Sequence, residues 1–167
     1  MVCFVQDDHT CLSWVFFMKE KSKIGQLFKN FHIMVQTQFN AKTQILHTDN
    51  VKDYFKSILR AYLVQEGIVH QSSCPDIPQQ NGIAKRKNKH LLDITQALMI
   101  FSRVPQIFLG DAVLIATYLI NRMPSRVLTF QTPCQVFLKA YHTNCLISSI
   151  PLKVFGCTSF VHIPYQN

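Results

Sequence analysis

Asp49 and Lys85, with 35 positions between them, are the residues around which any chemistry of this chain has to be read. Asp49 follows the apolar stretch Ile45-Leu46-His47-Thr48 and is backed by turn-prone Asn50. It therefore reads as a carboxylate presented at the end of a short strand, the kind of anionic oxygen donor that a hard divalent cation needs. Lys85 opens the run Lys85-Arg86-Lys87-Asn88-Lys89-His90, behind the loop Pro78-Gln79-Gln80-Asn81-Gly82. Asn81 and Gly82 at a helix start would offer free backbone N–H groups to a phosphate, and Lys85 and Lys89, four apart, share one helix face. That is anion-binding chemistry; the plainer reading of the same run is a solvated basic face.

Other groups carry less. Seven histidines are scattered without metal-ligand spacing, and His47 is expected to be partly buried on its strand. Ser72, Ser73 and Cys74 lie near His70, but nothing in their pattern marks a nucleophile. Cys3, Cys11, Cys74, Cys134, Cys145 and Cys157 include no C-x-x-C pair, so they read as core filler.

The elements that must position these residues follow from the hydrophobic pattern. Met1 to Gln6 and Leu12 to Met18 are apolar runs separated by the turn residues Asp7-Asp8-His9-Thr10, which predicts an antiparallel hairpin. Ser22 is placed to cap a helix carrying Ile24, Leu27, Phe28, Phe31, Val35 and Phe39, closed by Asn40-Ala41-Lys42. After the Asp49 strand, Tyr54, Phe55, Ile58, Leu59, Tyr62 and Leu63 mark a second helix ended by Gly67. Ile68 to Gln71 is a short strand and Ser72 to Gly82 a loop. A long helix from Ile83 to about Ser102 buries Leu91, Ile94, Leu98 and Phe101; Pro105 interrupts it, and Phe108 to Asn121 is a further helix. Thr132-Pro133 starts another, and Val154 to Ile163 reads as a late strand or strand pair.

This order is α/β. A chain of 167 residues with 48% apolar residues and 13 Phe can build a core of its own. The mean hydropathy is +0.10, yet no apolar run is long enough for a membrane span, and Asp7-Asp8 break a secretory signal pattern, so a soluble intracellular protein is expected. Seventeen Lys and Arg against nine acids give a net charge of +8, which favours a polyanionic partner such as nucleic acid.

Taken together, the Thr43 to Asn50 and Pro78 to Asn88 segments resemble the catalytic core of DDE integrases, and within them the integrases of copia-type LTR retrotransposons. The likeness extends to Val5–Ser22, Gly67–Pro75, Lys87–Leu92, Gly110 with Ala112-Val113, Tyr118–Ser125 and Val154–Cys157, nearly the whole chain. It implies an RNase H-like mixed sheet flanked by helices, with the first strand of that fold missing here. It also implies a core-like domain over residues 1–125 and a post-core segment over 126–167. In the family, two aspartates and a glutamate bind paired Mg or Mn ions that stabilise the attacking and leaving oxygens of a phosphodiester.

The departures from the family pattern decide the expected activity. Lys85 stands where the glutamate is expected, Val51 where a glycine is usual, and Leu109 where a tryptophan is customary. The strand bearing the first aspartate and the zinc-binding region before it both precede the point at which this sequence starts. Asp49 is thus the one family ligand retained. Replacing a carboxylate by an ammonium changes the local charge by two, and one such interaction at about 4 Å is on the order of 4 kcal/mol. No metal is expected to bind, Asp53, Asp93, Asp7 and Asp8 having more ordinary roles, and Lys85 is expected to pair weakly with Asp49.

The resemblance thus implies a degenerate, truncated integrase core. DNA would be held in a salt-dependent way by Gln79, Asn81, Gly82, Lys85, Arg86, Lys87 and Lys89, with self-association and a nuclear location if the protein is expressed. The alternatives are a non-catalytic DNA- or protein-binding module and a relic without function.

Overall fold

The turn residues near the N-terminus close a hairpin of strands β1 (Val2–Gln6) and β2 (Ser13–Phe17), with Val2 opposite Phe17 and Gln6 opposite Ser13. The Asp7 carboxylate accepts the Thr10 backbone N–H at 2.9 Å as well as the Thr10 hydroxyl, an aspartate turn that reverses the chain. The structure is a computed structural model and describes residues 1–48, 58–72, 82–141 and 154–157.

Helix α1 (Ile24–Phe39) carries the expected apolar stripe and ends at Asn40 in the left-handed conformation, φ 47°. Ser22 does not cap it. A 3-10 turn over Lys21–Lys23 already begins the winding, the N-cap is Lys23, and the Ser22 hydroxyl donates instead to the Glu20 carboxylate at 3.0 Å. Strand β3 (Ile45–Thr48), helix α2 (Ile58–Gln65) and strand β4 (Val69–Ser72) form a parallel crossover, with Ile45 opposite Val69 and Thr48 opposite Ser72. Gly67, at φ 67°, lets the chain leave α2 and enter β4.

Helix α3 (Gly82–Ser102) is followed by a 3-10 turn after Pro105, then by α4 (Leu109–Ile120) and α5 (Pro133–Tyr141). The start of α5 is a capping box: the Thr132 hydroxyl accepts the Gln135 N–H at 3.1 Å, and the Gln135 side chain accepts the Thr132 N–H at 3.0 Å.

The hairpin is covered on both faces, as strand alternation requires. Val5, Trp14 and Phe16 pack against Phe28, Phe31, Leu59 and Leu63 of α1 and α2. Phe4 and Val15 pack against Leu91, Val113, Ala116 and Ile120 of α3 and α4. A third cluster joins Leu12, Phe39, Cys134 and Phe137, so α5 is seated on the end of α1. Edge-to-face contacts of Trp14 with Phe31 at 5.2 Å and of Phe39 with Phe137 at 4.9 Å tie these layers together.

Several expectations are corrected. Among the described residues the strands form two separate two-stranded sheets, β1–β2 and β3–β4, and not the expected single mixed sheet. Between them lies a cleft of about 1660 Å³, lined by the consecutive residues Cys3 to His9 and Thr43 to Thr48. Successive strand residues point to opposite faces, so a strand can line a cavity along its whole run only with its backbone edge. Residues Cys3 to Gln6 of β1 and all of β3 thus border the cleft, and among the described residues these two strands do not pair with each other. His47, expected to be partly buried, is exposed.

Phe101 is 88% exposed. It lies roughly 80° around the helix from Leu91, whereas Ser102 returns to within about 20° of that line. Ser102 takes the inward place and donates to the Phe155 carbonyl at 2.9 Å. Within the expected late strand, residues 154–157 form a turn closed by the Cys157 N–H on the Val154 carbonyl, and the remainder lies outside the described residues. Cys134 is buried as core filler, which pushes its thiol pKa up, but Cys157 is exposed.

Candidate nucleic-acid interface

The first three turns of α3 concentrate the cations. Lys85, Arg86, Lys89 and His90 are exposed and Lys87 is half-buried. Helix geometry explains the split. Taking Lys85 as the origin, Lys89, Arg86 and His90 fall within an arc of about 140°, and Gly82 lies inside it. Lys87 falls about 200° around, in line with Leu91 and Ile94, which face the core. It lies toward the flank of the buried stripe and is half-buried.

No acidic residue lies in the first turn of α3. The positive end of the helix dipole thus coincides with four exposed cationic or basic side chains. Lys85 and Lys89, four apart, repel one another by a few tenths of a kcal/mol. An anion placed there would relieve both interactions. Near Gly82 the Arg86 guanidinium folds back over the helix start, 3.4 Å from where a Cβ would stand.

Lys85 and Asn88 also line the cleft between the sheets, together with His47, Thr48, Gln71 and Ser72. Asn88 was not among the expected site residues, although its spacing of three from Lys85 puts it on the same face. The Thr48 hydroxyl and His70 Nε2 are 2.8 Å apart, a link between β3 and β4 that no sequence pattern announced. Asp7 and Asp8 line the cleft as well. Burial, and after it the nearby Asp7 carboxylate, raises the pKa of Tyr141, whose neighbours in the core include Phe137, and Ala41 packs against the same cluster just before β3 begins. Asp7 is thus placed toward the end where β3 enters.

Asp49, Gln79 and Asn81, together with the expected Asp49–Lys85 pair, lie outside the described residues. Among the described residues no group of three or more His, Cys, Asp or Glu side chains converges on a point. The described side chains lining the cleft near Thr48 are the His47 imidazole, the hydroxyls and amides of Thr48, Ser72, Gln71 and Asn88, and the Lys85 ammonium. A hard divalent cation needs anionic oxygens; among the described residues this end of the cleft supplies none, and Asp49 lies outside them.

Two polar features elsewhere are structural. His32 is fully buried, with Nδ1 2.9 Å from the Tyr62 hydroxyl and Nε2 without a partner; burial lowers its pKa. The Asn121 side chain accepts the Ser13 N–H at 2.9 Å and donates to the Ser13 carbonyl at 2.7 Å, binding β2 to the end of α4 as a neighbouring strand would.

Similarity to known proteins bears on this surface. The chain is 36% identical over 96% of its length to the retrovirus-related Pol polyprotein of transposon TNT 1-94 from Nicotiana tabacum. It is 34% identical over 99% to that of transposon RE2, and 30% identical over 99% to that of transposon RE1, both from Arabidopsis thaliana. It spans only 12%, 11% and 11% of those polyproteins. No protein-family model matches. In fold it is similar to a chain of the cryo-EM structure of the simian T-cell lymphotropic virus intasome in complex with the PP2A regulatory subunit B56 gamma. The TM-score is 0.65 at 17% identity, over 95% of this chain and 54% of the other.

Proposed function

Because the chain is homologous to the Pol polyprotein region of plant copia-type transposons, we propose that it is an integrase-core-like nucleic-acid-binding module, its own strand-transferase activity lost. One observation carries the binding half of this reading. The start of α3 superimposes the positive helix end on Lys85, Arg86 and Lys89, all exposed, with no acid in its first turn. Such a surface recognises phosphate by charge and by backbone N–H groups, and it carries no base-reading code. The loss of activity rests on Lys85, because an ammonium beside Asp49 would repel the metal pair that phosphodiester chemistry requires. A nuclear location and self-association belong to the same reading.

The test is fluorescence anisotropy with a short labelled duplex. Three to four phosphate contacts should make affinity fall roughly a hundredfold between 50 and 200 mM salt. The combined variant Lys85→Glu, Arg86→Glu, Lys89→Glu should abolish binding to every duplex sequence alike. Equal binding by the variant would place the interface elsewhere. A strand-transfer assay with Mg²⁺ or Mn²⁺ should give no joined product, either for the natural chain or for Lys85→Glu. Metal-dependent joining of a DNA end by the purified chain would overturn the inactive half of the reading.

A second reading, a protein-interaction module, is favoured by the apolar side chains at the other end of α3. Phe101, Ile107 and Ile100 are all more than three-quarters exposed there.

A further inference from the structure

The loop between α4 and α5 holds an aromatic ring in solvent by means of a closed backbone. Ser125 and Gln131 form an isolated antiparallel bridge, with the Ser125 N–H on the Gln131 carbonyl at 3.1 Å. Inside it the Ser125 carbonyl accepts the N–H groups of Leu128 and Phe130 at 3.1 and 2.9 Å, and the Arg126 carbonyl accepts that of Thr129 at 3.2 Å. These bonds keep Thr129 and Phe130 at φ 51° and 63°, a left-handed conformation that such side chains adopt only where the surroundings impose it. Val127 is left 82% exposed and Phe130 73% exposed. A ring fixed in this way loses little freedom when another group stacks on it.

The groups held beside that ring are polar and cationic. The Lys139 ammonium donates to the Gln131 side-chain carbonyl at 2.7 Å, which brings it from α5 to the residue next to Phe130. The Gln131 amide nitrogen lies 3.5 Å from the Thr129 hydroxyl, and Arg126 is exposed in the same loop. No aspartate or glutamate follows Asp111 in the sequence, so the loop and α5 carry cations alone. The loop also follows the end of α4, and α3 and α4 pack as consecutive helices across a short connection, with Leu91 and Ile120 in one cluster. Such a pair is antiparallel, so the loop leaves it at the end where the exposed cations of α3 stand.

We propose that this loop is a stacking platform for single-stranded nucleic acid: a base lies on the Phe130 ring, and Lys139 and Arg126 meet the phosphates beside it. Aromatic stacking joined to cations is a general way of holding unpaired strands, and it tolerates any base because every base has a π-face. Inside a duplex each base is already stacked on its neighbours and must be unstacked before it can reach such a ring. The platform therefore distinguishes strand form, which the phosphate contacts of α3 do not. An apolar pocket on an acidic protein could also take Phe130, but the groups fixed around the ring are an ammonium, an amide and a hydroxyl, which suit a nucleotide better. The inference concerns a different surface from α3 and does not require α3 to bind DNA.

The experiment titrates the full chain, by fluorescence anisotropy, into a labelled oligothymidine of about a dozen nucleotides and into an abasic strand of the same length. The abasic strand keeps every phosphate and lacks every base. The natural chain should bind the base-bearing strand roughly tenfold more tightly. Phe130→Gly removes the ring while suiting the positive φ at that position, so the fold is kept and the difference between the strands should vanish. Phe130→Trp should retain it. Lys139→Gln should weaken both strands alike and reduce the salt dependence. A 2-aminopurine placed in the oligothymidine should lose fluorescence on binding the natural chain and not on binding Phe130→Gly. The combined Lys85→Glu, Arg86→Glu, Lys89→Glu variant should still prefer the base-bearing strand, so failure of the α3 reading and failure of this one appear in separate measurements.

Equal binding of the two strands by the natural chain would overturn the inference and leave the loop as an apolar anchor for a protein. So would an undiminished preference in Phe130→Gly, or the absence of binding to either strand.

Discussion

The two small sheets of this molecule are held in different ways. The β1–β2 hairpin is made locally. Asp7 and Thr10 close its turn, its faces are covered by two helical layers, and Asn121 grips Ser13 through both backbone groups. The parallel pair β3–β4 joins segments a crossover apart, and all four residues of β4 are exposed. Its described side-chain link is the exposed Thr48–His70 contact. Antiparallel hairpins need a turn; parallel pairs need a helix to bring them together, and that helix must itself be anchored. The difference teaches which of the two sheets is tied to more of the fold. The cleft that separates the sheets has one firm wall and one lightly held wall.

The largest effect should come from the firm wall. Asn121→Ala leaves the buried Ser13 N–H and carbonyl without partners, at a cost of about 2 to 4 kcal/mol, or roughly 5 to 12 °C in the thermal midpoint. In the natural chain, amide exchange should be slower in β2 than in β4, and the variant should narrow that gap. An unchanged midpoint would show that the Asn121–Ser13 pair is not what holds the hairpin to α4.

A smaller effect should come from acid. His32 couples α1 to α2, the helix that leads into β4, and burial lowers its pKa below the ordinary histidine value. The unfolded chain therefore binds the proton more readily than the folded one. Stability is fully present above about pH 6.5, the unfolded value, and is lost as pH falls below it toward the folded pKa. A melt series from pH 7.5 to 5 should show the decline, and His32→Gln should flatten that part of it. A midpoint that held steady over this range would mean His32 does not distinguish the two states.

The smallest effect sharpens the comparison from the other side. Thr48→Ala removes an exposed contact and should cost no more than about 0.5 kcal/mol. If urea unfolding gave a loss comparable to that of Asn121→Ala, the two sheets would be held equally and the contrast would fail.

Much of the fold was legible in the residues. The spacing of apolar positions located α1 over Ile24–Phe39, and the Phe108 to Asn121 pattern located α4 to within a residue at each end. These signals are local: an apolar stripe every three or four residues is set by helix geometry and needs no distant partner. Errors of phase were local as well. Phe101 was read into the buried stripe because it is apolar, but the turn of the helix gives Ser102 the inward place. The same arithmetic, applied to Lys87, separates it from the basic face.

The candidate site was legible as a list of cations but not as a surface. Exposure of Lys85, Arg86 and Lys89, and the entry of Lys85 and Asn88 into the cleft, depend on how α3 lies against β1 and β2. No pattern along the chain encodes that. What the sequence determined alone was chemistry and period: turn residues, helical stripes, a basic run without acids, and Lys85 where a carboxylate was expected. What only the tertiary structure decided was pairing between distant segments. Strands β1 and β3 both present strand-like patterns, yet whether they share a sheet depends on backbone edges meeting within hydrogen-bond reach, about 4.8 Å between strands. Among the described residues they do not, and the cleft lies between them.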